Sequence, residues 1–326
     1  MRNFSYQRAR SLEEARAATA QAGAMLLAGG TTLIDLAKLS VACPETVVDI
    51  SHLSGLDRIE FDEEGVTIGA LAKMSAVATH PEIRTAFPAI ADALWQAASP
   101  QLRNMATVGG NLLQRTRCPY FRDPEMFPAC NKRVPGTGCS ALGGITRNHA
   151  ILGVSESCIA AYPGDLAVAL VAFDAEIVLG ERRVAADDFF LLPGATPERE
   201  HAIQPGEIVT AIRIPRSAAA QRSTYLKVRD RQSYEFATAS VAVGLDLAPD
   251  GTVRDIRVAL GSVATKPWRC RNIETVLKGH PLARECVATA ARLAVAGAVA
   301  QDDNRYKLAL APRVVTRAIL DLGEIA

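Results

Sequence analysis

Absent from this sequence are an uninterrupted apolar run long enough to cross a bilayer, a charge excess of either sign, and any closely spaced cysteine pair. The first absence excludes a membrane span. The second follows from Lys+Arg 36 against Asp+Glu 35, a formal net charge of +1; nothing here attracts nucleic acid or an anionic lipid surface. The opening "MRNFSYQRARSLEEARAATAQ" lacks the apolar core of a secretory signal, so the expectation is a cytoplasmic protein. Seven cysteines in 326 residues are too few for a disulfide-built scaffold, and the odd number fits a reducing compartment. Cys43, Cys270 and Cys286 are scattered and read as ordinary structural thiols. No internal repeat and no low-complexity tail interrupt the chain.

With 49% hydrophobic residues the chain can bury a sizeable core and is long enough for two or three domains. Ser11 and Glu14 have capping-box spacing ahead of an Ala-rich helix that Gly23 can end, and "AMLL" then reads as a strand. "ETVVDISHL" through "IEFDEEGVTIGAL" alternates short β-type runs with turns, and "PAIADALWQAA" returns to a helical period. "DLAVALVAFDAEIVLG" reads as a helix running into a strand, and "IVTAIRIP" as a further strand. Beyond a break near "RSAAAQRS", long β-type runs meet at the hairpin signal "PDGT", and three helical segments close the chain. This second part reads as a sheet covered by helices, an α+β arrangement.

Two glycine turns carry chemistry. In "AMLLAGGTTLIDLAKL", Gly29 and Gly30 stand between a strand and a helix starting near Thr31, where unpaired backbone N–H groups suit a diphosphate. In "QLRNMATVGGNLLQ", Thr107, Gly109, Gly110 and Asn111 repeat the device. Alone, each is more often a structural turn; together they make a long dinucleotide about as good a reading as a structural turn. Neither is a GxGxxG fingerprint with its downstream acid, which disfavours NAD on a doubly wound sheet.

Between the second turn and "YPGDLA" lies a Pro- and Gly-rich stretch with few periodic apolar positions, which needs a cross-link to be ordered. It holds Cys118, Cys130, Cys139 and Cys158 in the pattern C-x11-C-x8-C-x18-C. Disulfides would require an oxidising compartment and would normally exclude the three stray thiols. Zinc usually shows a C-x2-C pair, and iron–sulfur clusters are also commonly announced by close spacing. Spacing leaves zinc and a 4Fe-4S cluster open.

"LLAGGTTLIDLAKL", "LRNMATVGGNL", "YPGDLAVALVAFDAEI" and "YLKVRDRQSYEFA" follow one another as in the FAD-binding subunits of the molybdenum hydroxylases, the xanthine dehydrogenase and aldehyde oxidoreductase family, and "GSVATKPWRCRNIETVLKG" resembles their C-terminal domain. "LLQRTRCPYF" and "CNKRVPGTGC" are most similar to the periplasmic-type aldehyde oxidoreductases. The resemblance spans essentially the whole chain. It implies an α+β fold: a PCMH or vanillyl-alcohol-oxidase-type FAD-binding domain over 1–218, with subdomains at about 1–55 and 56–218, then a CO-dehydrogenase-flavoprotein-like C-terminal α/β domain over 222–326.

The same resemblance implies which residues hold FAD. Met25, Leu26, Leu27, Ala28, Gly29, Gly30, Thr31, Thr32 and Leu33 would wrap its diphosphate, with Thr107, Gly110 and Asn111 forming the second loop. Asp165 would bind the flavin side, and Val209 and Lys227 would lie beside the isoalloxazine, although a strand valine is ordinarily core. The aromatic ring that xanthine-type relatives stack on the flavin has Ala97 in its register here, with Trp95 nearby. The segment at about 115–162 is then an insertion whose four cysteines would carry a 4Fe-4S cluster, with Arg115, Arg117, Arg122, Lys132 and Arg133 around it. No catalytic residue is expected on this chain. A large partner would hold the molybdenum cofactor and oxidise an aldehyde; a small partner would carry two 2Fe-2S clusters; FAD would pass the electrons to an external acceptor. A heterocycle, an aromatic acyl-CoA or carbon monoxide are the alternative substrates, and a zinc-stapled assembly subunit without redox function is the alternative of another class. Export to the periplasm on a signal-bearing partner is the alternative location.

Overall fold

Three sheets organise the chain in the computed structural model, which describes residues 1–324. The first is parallel, in the order β1-β3-β2, from β1 (Ser5–Arg8), β2 (Ala24–Leu27) and β3 (Thr46–Asp49). Parallel neighbours need crossovers. They are supplied by α1 (Leu12–Thr19) and α2 (Leu33–Lys38). Ser11 Oγ accepts from the Glu14 N–H at 3.1 Å, while the Glu14 carboxylate accepts from Arg10 N–H rather than from Ser11. The expected reciprocal cap is therefore shifted by one residue. Gly23, at φ +75°, turns the chain into β2.

The second sheet is antiparallel and collects strands far apart in sequence: β4 (Ile59–Phe61), β5 (Gly65–Gly69), β6 (Glu176–Leu179), β7 (Arg182–Ala185) and β8 (Ala211–Pro215), in the order β4-β5-β8-β6-β7. Between β5 and β6 run α3 (Met74–Thr79), α4 (Pro81–Ala86), α5 (Pro88–Gln96), α6 (Pro100–Met105), α7 (Val108–Leu112), α8 (Pro119–Arg122) and α9 (Asp165–Ala172). Proline opens α4, α5, α6 and α8, where its missing N–H has no helical partner to lose. Phe87, Ile90, Leu94, Leu170 and Ile212 share one core beneath this sheet.

After α10 (Ala186–Phe189) and α11 (Ala218–Gln221), the third sheet joins β9 (Ser223–Val228), β10 (Ala239–Leu247), β11 (Val253–Gly261) and β12 (Trp268–Arg269), antiparallel in the order β12-β11-β10-β9. The "PDGT" turn closes β10 on β11, with Gly251 at φ +81°. Its apolar residues pack with α12 (Arg271–Leu277), α13 (Arg284–Ala291) and α14 (Lys307–Gly323) around Val243, Val258, Val287 and Ile319. Helix α9, buried along its whole length, touches α5 on one side and β10 and β11 on the other, fastening the third sheet to the second. Both parts show the α+β layering expected from the sequence.

Candidate functional site: a glycine-lined cleft and a cysteine cavity

A cleft of about 390 Å³ opens where the first sheet faces α7. Its walls include Met25, Leu26, Ala28, Gly29, Gly30, Thr31, Thr32, Leu33, Thr107, Gly109, Gly110 and Val209, so residues from three separated stretches converge. Both glycine turns explain themselves sterically. A Cβ on Gly29 would run into the Met105 carbonyl, and one on Gly109 would lie 2.8 Å from Ala70 Cβ. Thr107 Oγ1 accepts from Gly110 N–H at 3.2 Å and caps α7, whereas Thr32, at the start of α2, makes no side-chain cap. Asn111 Oδ1 is buried and has no hydrogen-bond partner within the chain, an acceptor awaiting a donor. Leu36, Val41, Ala42, Ile50, Ala70, Leu71, Leu113, Arg115, Ile203, Glu207 and Ile208 complete the lining and were not expected from sequence. Glu207 and Ile208 adjoin Val209, and Leu36 and Leu113 lie within the two glycine-turn stretches, local signals that could have found them; the others arrive through tertiary packing.

Leu27, Asn111, Asp165 and Lys227 are not part of the cleft lining. Asp165 opens α9, where its carboxylate accepts from Lys227 Nζ at 2.8 Å and from the Tyr225 hydroxyl at 2.6 Å. Burial holds the Asp165 carboxyl above its ordinary range, opposed by the Lys227 ammonium. Lys227 Nζ also donates to the Gln96 carbonyl at 3.1 Å, so this pair braces the end of α5. Ala97 is buried and Trp95 is exposed beneath the Arg103 guanidinium; neither lines the cleft.

The four clustered cysteines come together around one small enclosed space. Cys130 and Cys158 are buried, Cys118 and Cys139 half-buried, all as free thiols. Cys130 and Cys139 face each other across an antiparallel bridge. Burial pushes the Cys118 thiol up to about 12 and raises Cys158 as well, with Lys132 opposing the latter. Among the described residues, no three His, Cys, Asp or Glu side chains are gathered so as to hold a single metal ion. The segment is held by more than cysteine. Arg133 donates to the carbonyls of Tyr120, Phe121 and Phe127, and His149 Nε2 lies 3.2 Å from Cys118 Sγ. Asn304 and Lys307 grip the His149 and Ala150 carbonyls from the C-terminal part.

Residues 2–217 match the FAD binding domain in molybdopterin dehydrogenase, and residues 224–322 match the CO dehydrogenase flavoprotein C-terminal domain. The chain belongs to the FAD-binding subunits of the molybdenum hydroxylases. It is 42% identical to the aldehyde oxidoreductase FAD-binding subunit PaoB of Escherichia coli (strain K12), covering 98% of each chain. It is 30% identical to the carbon monoxide dehydrogenase medium chain of Hydrogenophaga pseudoflava, covering 97% of this chain and 96% of the relative. Among solved structures, carbon monoxide dehydrogenase from Hydrogenophaga pseudoflava superposes with a TM-score of 0.76 at 29% identity, over 99% of this chain and 98% of the other. Quinoline 2-oxidoreductase from Pseudomonas putida 86, at 22% identity and a TM-score of 0.75 over 99% and 98% of the two chains, shares the fold.

For a molybdenum hydroxylase FAD subunit, the cleft fits its cofactor. Gly29, Gly30, Gly109 and Gly110 line it with no side chain to hold a ligand off, and the remaining wall is mostly apolar. No described helix is long and apolar enough to cross a membrane.

Proposed function

We propose that this chain is the FAD- and 4Fe-4S-binding electron-transfer subunit of a heterotrimeric molybdenum-dependent aldehyde oxidoreductase. The observation that carries the flavin part is the convergence on one cleft of the first glycine turn from Met25 to Leu33, Leu27 excepted, with Thr107, Gly109, Gly110 and Val209. Full-length similarity to PaoB, named as an aldehyde oxidoreductase subunit, supports the substrate class. Bound there, FAD supplies a two-electron station between the 2Fe-2S clusters of a small partner and an external acceptor, while a large partner holds the molybdenum cofactor. This chain's own residues bind and orient. The glycine turns admit the diphosphate, and the Asp165–Lys227 pair fixes the joint between α5, α9 and β9. The 222–326 domain docks through α9.

Four thiols line the cysteine cavity, and four thiolates suit either zinc or a 4Fe-4S cluster. The redox context of a flavin in the neighbouring cleft is what favours the cluster. The raised Cys118 and Cys158 thiols must release protons on loading. Metal and flavin analysis of the purified chain tests both parts. FAD together with iron and acid-labile sulfide is expected; zinc without flavin or iron would overturn the reading. Cys130→Ser then separates relay from staple, because unimpaired aldehyde-driven flavin reduction in an intact complex would exclude a relay.

A further inference from the structure

The cysteine segment is the outer side of the flavin cleft's own wall. Leu36, Val41 and Ala42 line the cleft, and the same three residues pack against Phe121, Cys118 and Cys130. An ionic clasp reinforces this contact. Asp35, on α2 immediately after the first glycine turn, accepts from Arg122 Nη1 at 2.7 Å and from Arg117 Nη1 at 3.3 Å, and these two arginines flank Cys118 in sequence. Arg122 Nε also donates to the Thr116 carbonyl at 3.0 Å, tying the clasp to the segment's backbone. On the opposite side, Arg115 lines the cleft, stacks over Phe121 at 4.5 Å and donates to the Lys132 carbonyl at 3.2 Å, while Lys132 lines the cysteine cavity.

We infer that Asp35 is a positioning residue for FAD: through Arg122 and Arg117 it holds α2, and with it the diphosphate turn, against the cysteine segment. Flavin affinity and the order of the four cysteines are therefore one linked equilibrium. Binding at either place stabilises the wall they share, and linkage makes the effect reciprocal. The flavin half rests on the FAD reading, and the cysteine half rests on the proposed 4Fe-4S cluster.

The test uses the purified full chain. The FAD dissociation constant is read from flavin fluorescence, iron and sulfide are counted in the same samples, and thermal unfolding monitors the fold. Asp35→Asn is expected to weaken FAD roughly tenfold, the loss of one charge-assisted hydrogen-bonded contact. Asp35→Glu should restore most of the affinity, and Arg305→Ala, in an exposed pair with Asp302, should leave it unchanged. Cys130→Ser should lose iron and weaken FAD together, and bound FAD should slow iron release to a chelator. An unchanged FAD dissociation constant in folded Asp35→Asn overturns the positioning role. Loss of iron from Cys130→Ser with wild-type FAD affinity overturns the linkage. If the wild-type chain binds FAD but holds no iron, the cluster reading fails separately, and Asp35→Asn against Asp35→Glu still decides the clasp.

Discussion

Removing the Asp165 carboxylate would strand a lysine whose side chain is 1% exposed. A buried charge that loses its partner costs more than the pair contributes, because desolvation is no longer offset. Asp165→Ala should therefore lower unfolding stability by about 3–5 kcal/mol. The double variant Asp165→Asn/Lys227→Met should recover much of that loss in urea titrations. Equal loss in single and double variants would contradict the ion-pair account. The sequence displayed both residues in legible motifs but not their mutual contact, since Asp165 opens α9 and Lys227 sits on β9. Gly29 shows the opposite case. Its place in a glycine turn was legible, and the Met105 carbonyl against its missing Cβ supplies the reason. Gly29→Ala should cost about 1–3 kcal/mol through overpacking. It should also weaken FAD binding measured by fluorescence titration.

Among the elements, α14 begins with a lysine placed where few lysines sit. Lys307 is buried, donates to the Ser262 carbonyl at 2.7 Å and the His149 carbonyl at 3.0 Å, and burial, with Arg147 nearby, lowers it from 10.5 to about 7. The unfolded chain thus binds more protons than the folded one between about pH 7 and 10.5, so this group makes stability rise with pH across that window. Urea midpoints at pH 7.5 and 9.5 should show that rise in the wild type and a smaller rise in Lys307→Met. The same slope in both proteins would contradict the assignment. Strands and helices with clear period were readable: "AMLL" is β2, "DLAVALVAFDAEIVLG" is α9 and β6, and "PDGT" closes β10 on β11. The cysteine segment was not, because its order comes from long-range polar contacts such as Arg122 to Asp35 and Lys307 to His149, which leave no local period.

For the whole molecule, the flavin cleft belongs to the N-terminal part and its cysteine wall is clamped by Asn304 and Lys307 from the C-terminal part. The arrangement gives the C-terminal domain a direct hold on the segment behind the cofactor. The site was only partly legible: the two glycine turns mark the cleft in sequence, whereas Ile50, Arg115 and Ile203 reach it only through tertiary packing of distant stretches. Under the proposed function, this chain holds FAD and receives electrons won from an aldehyde. The direct measurement is anaerobic mixing of an aldehyde with the assembled complex while flavin absorbance is followed. Stoichiometric FAD that bleaches on mixing is the predicted result; a complex that oxidises aldehyde while its FAD stays oxidised, or that carries no FAD, would contradict it.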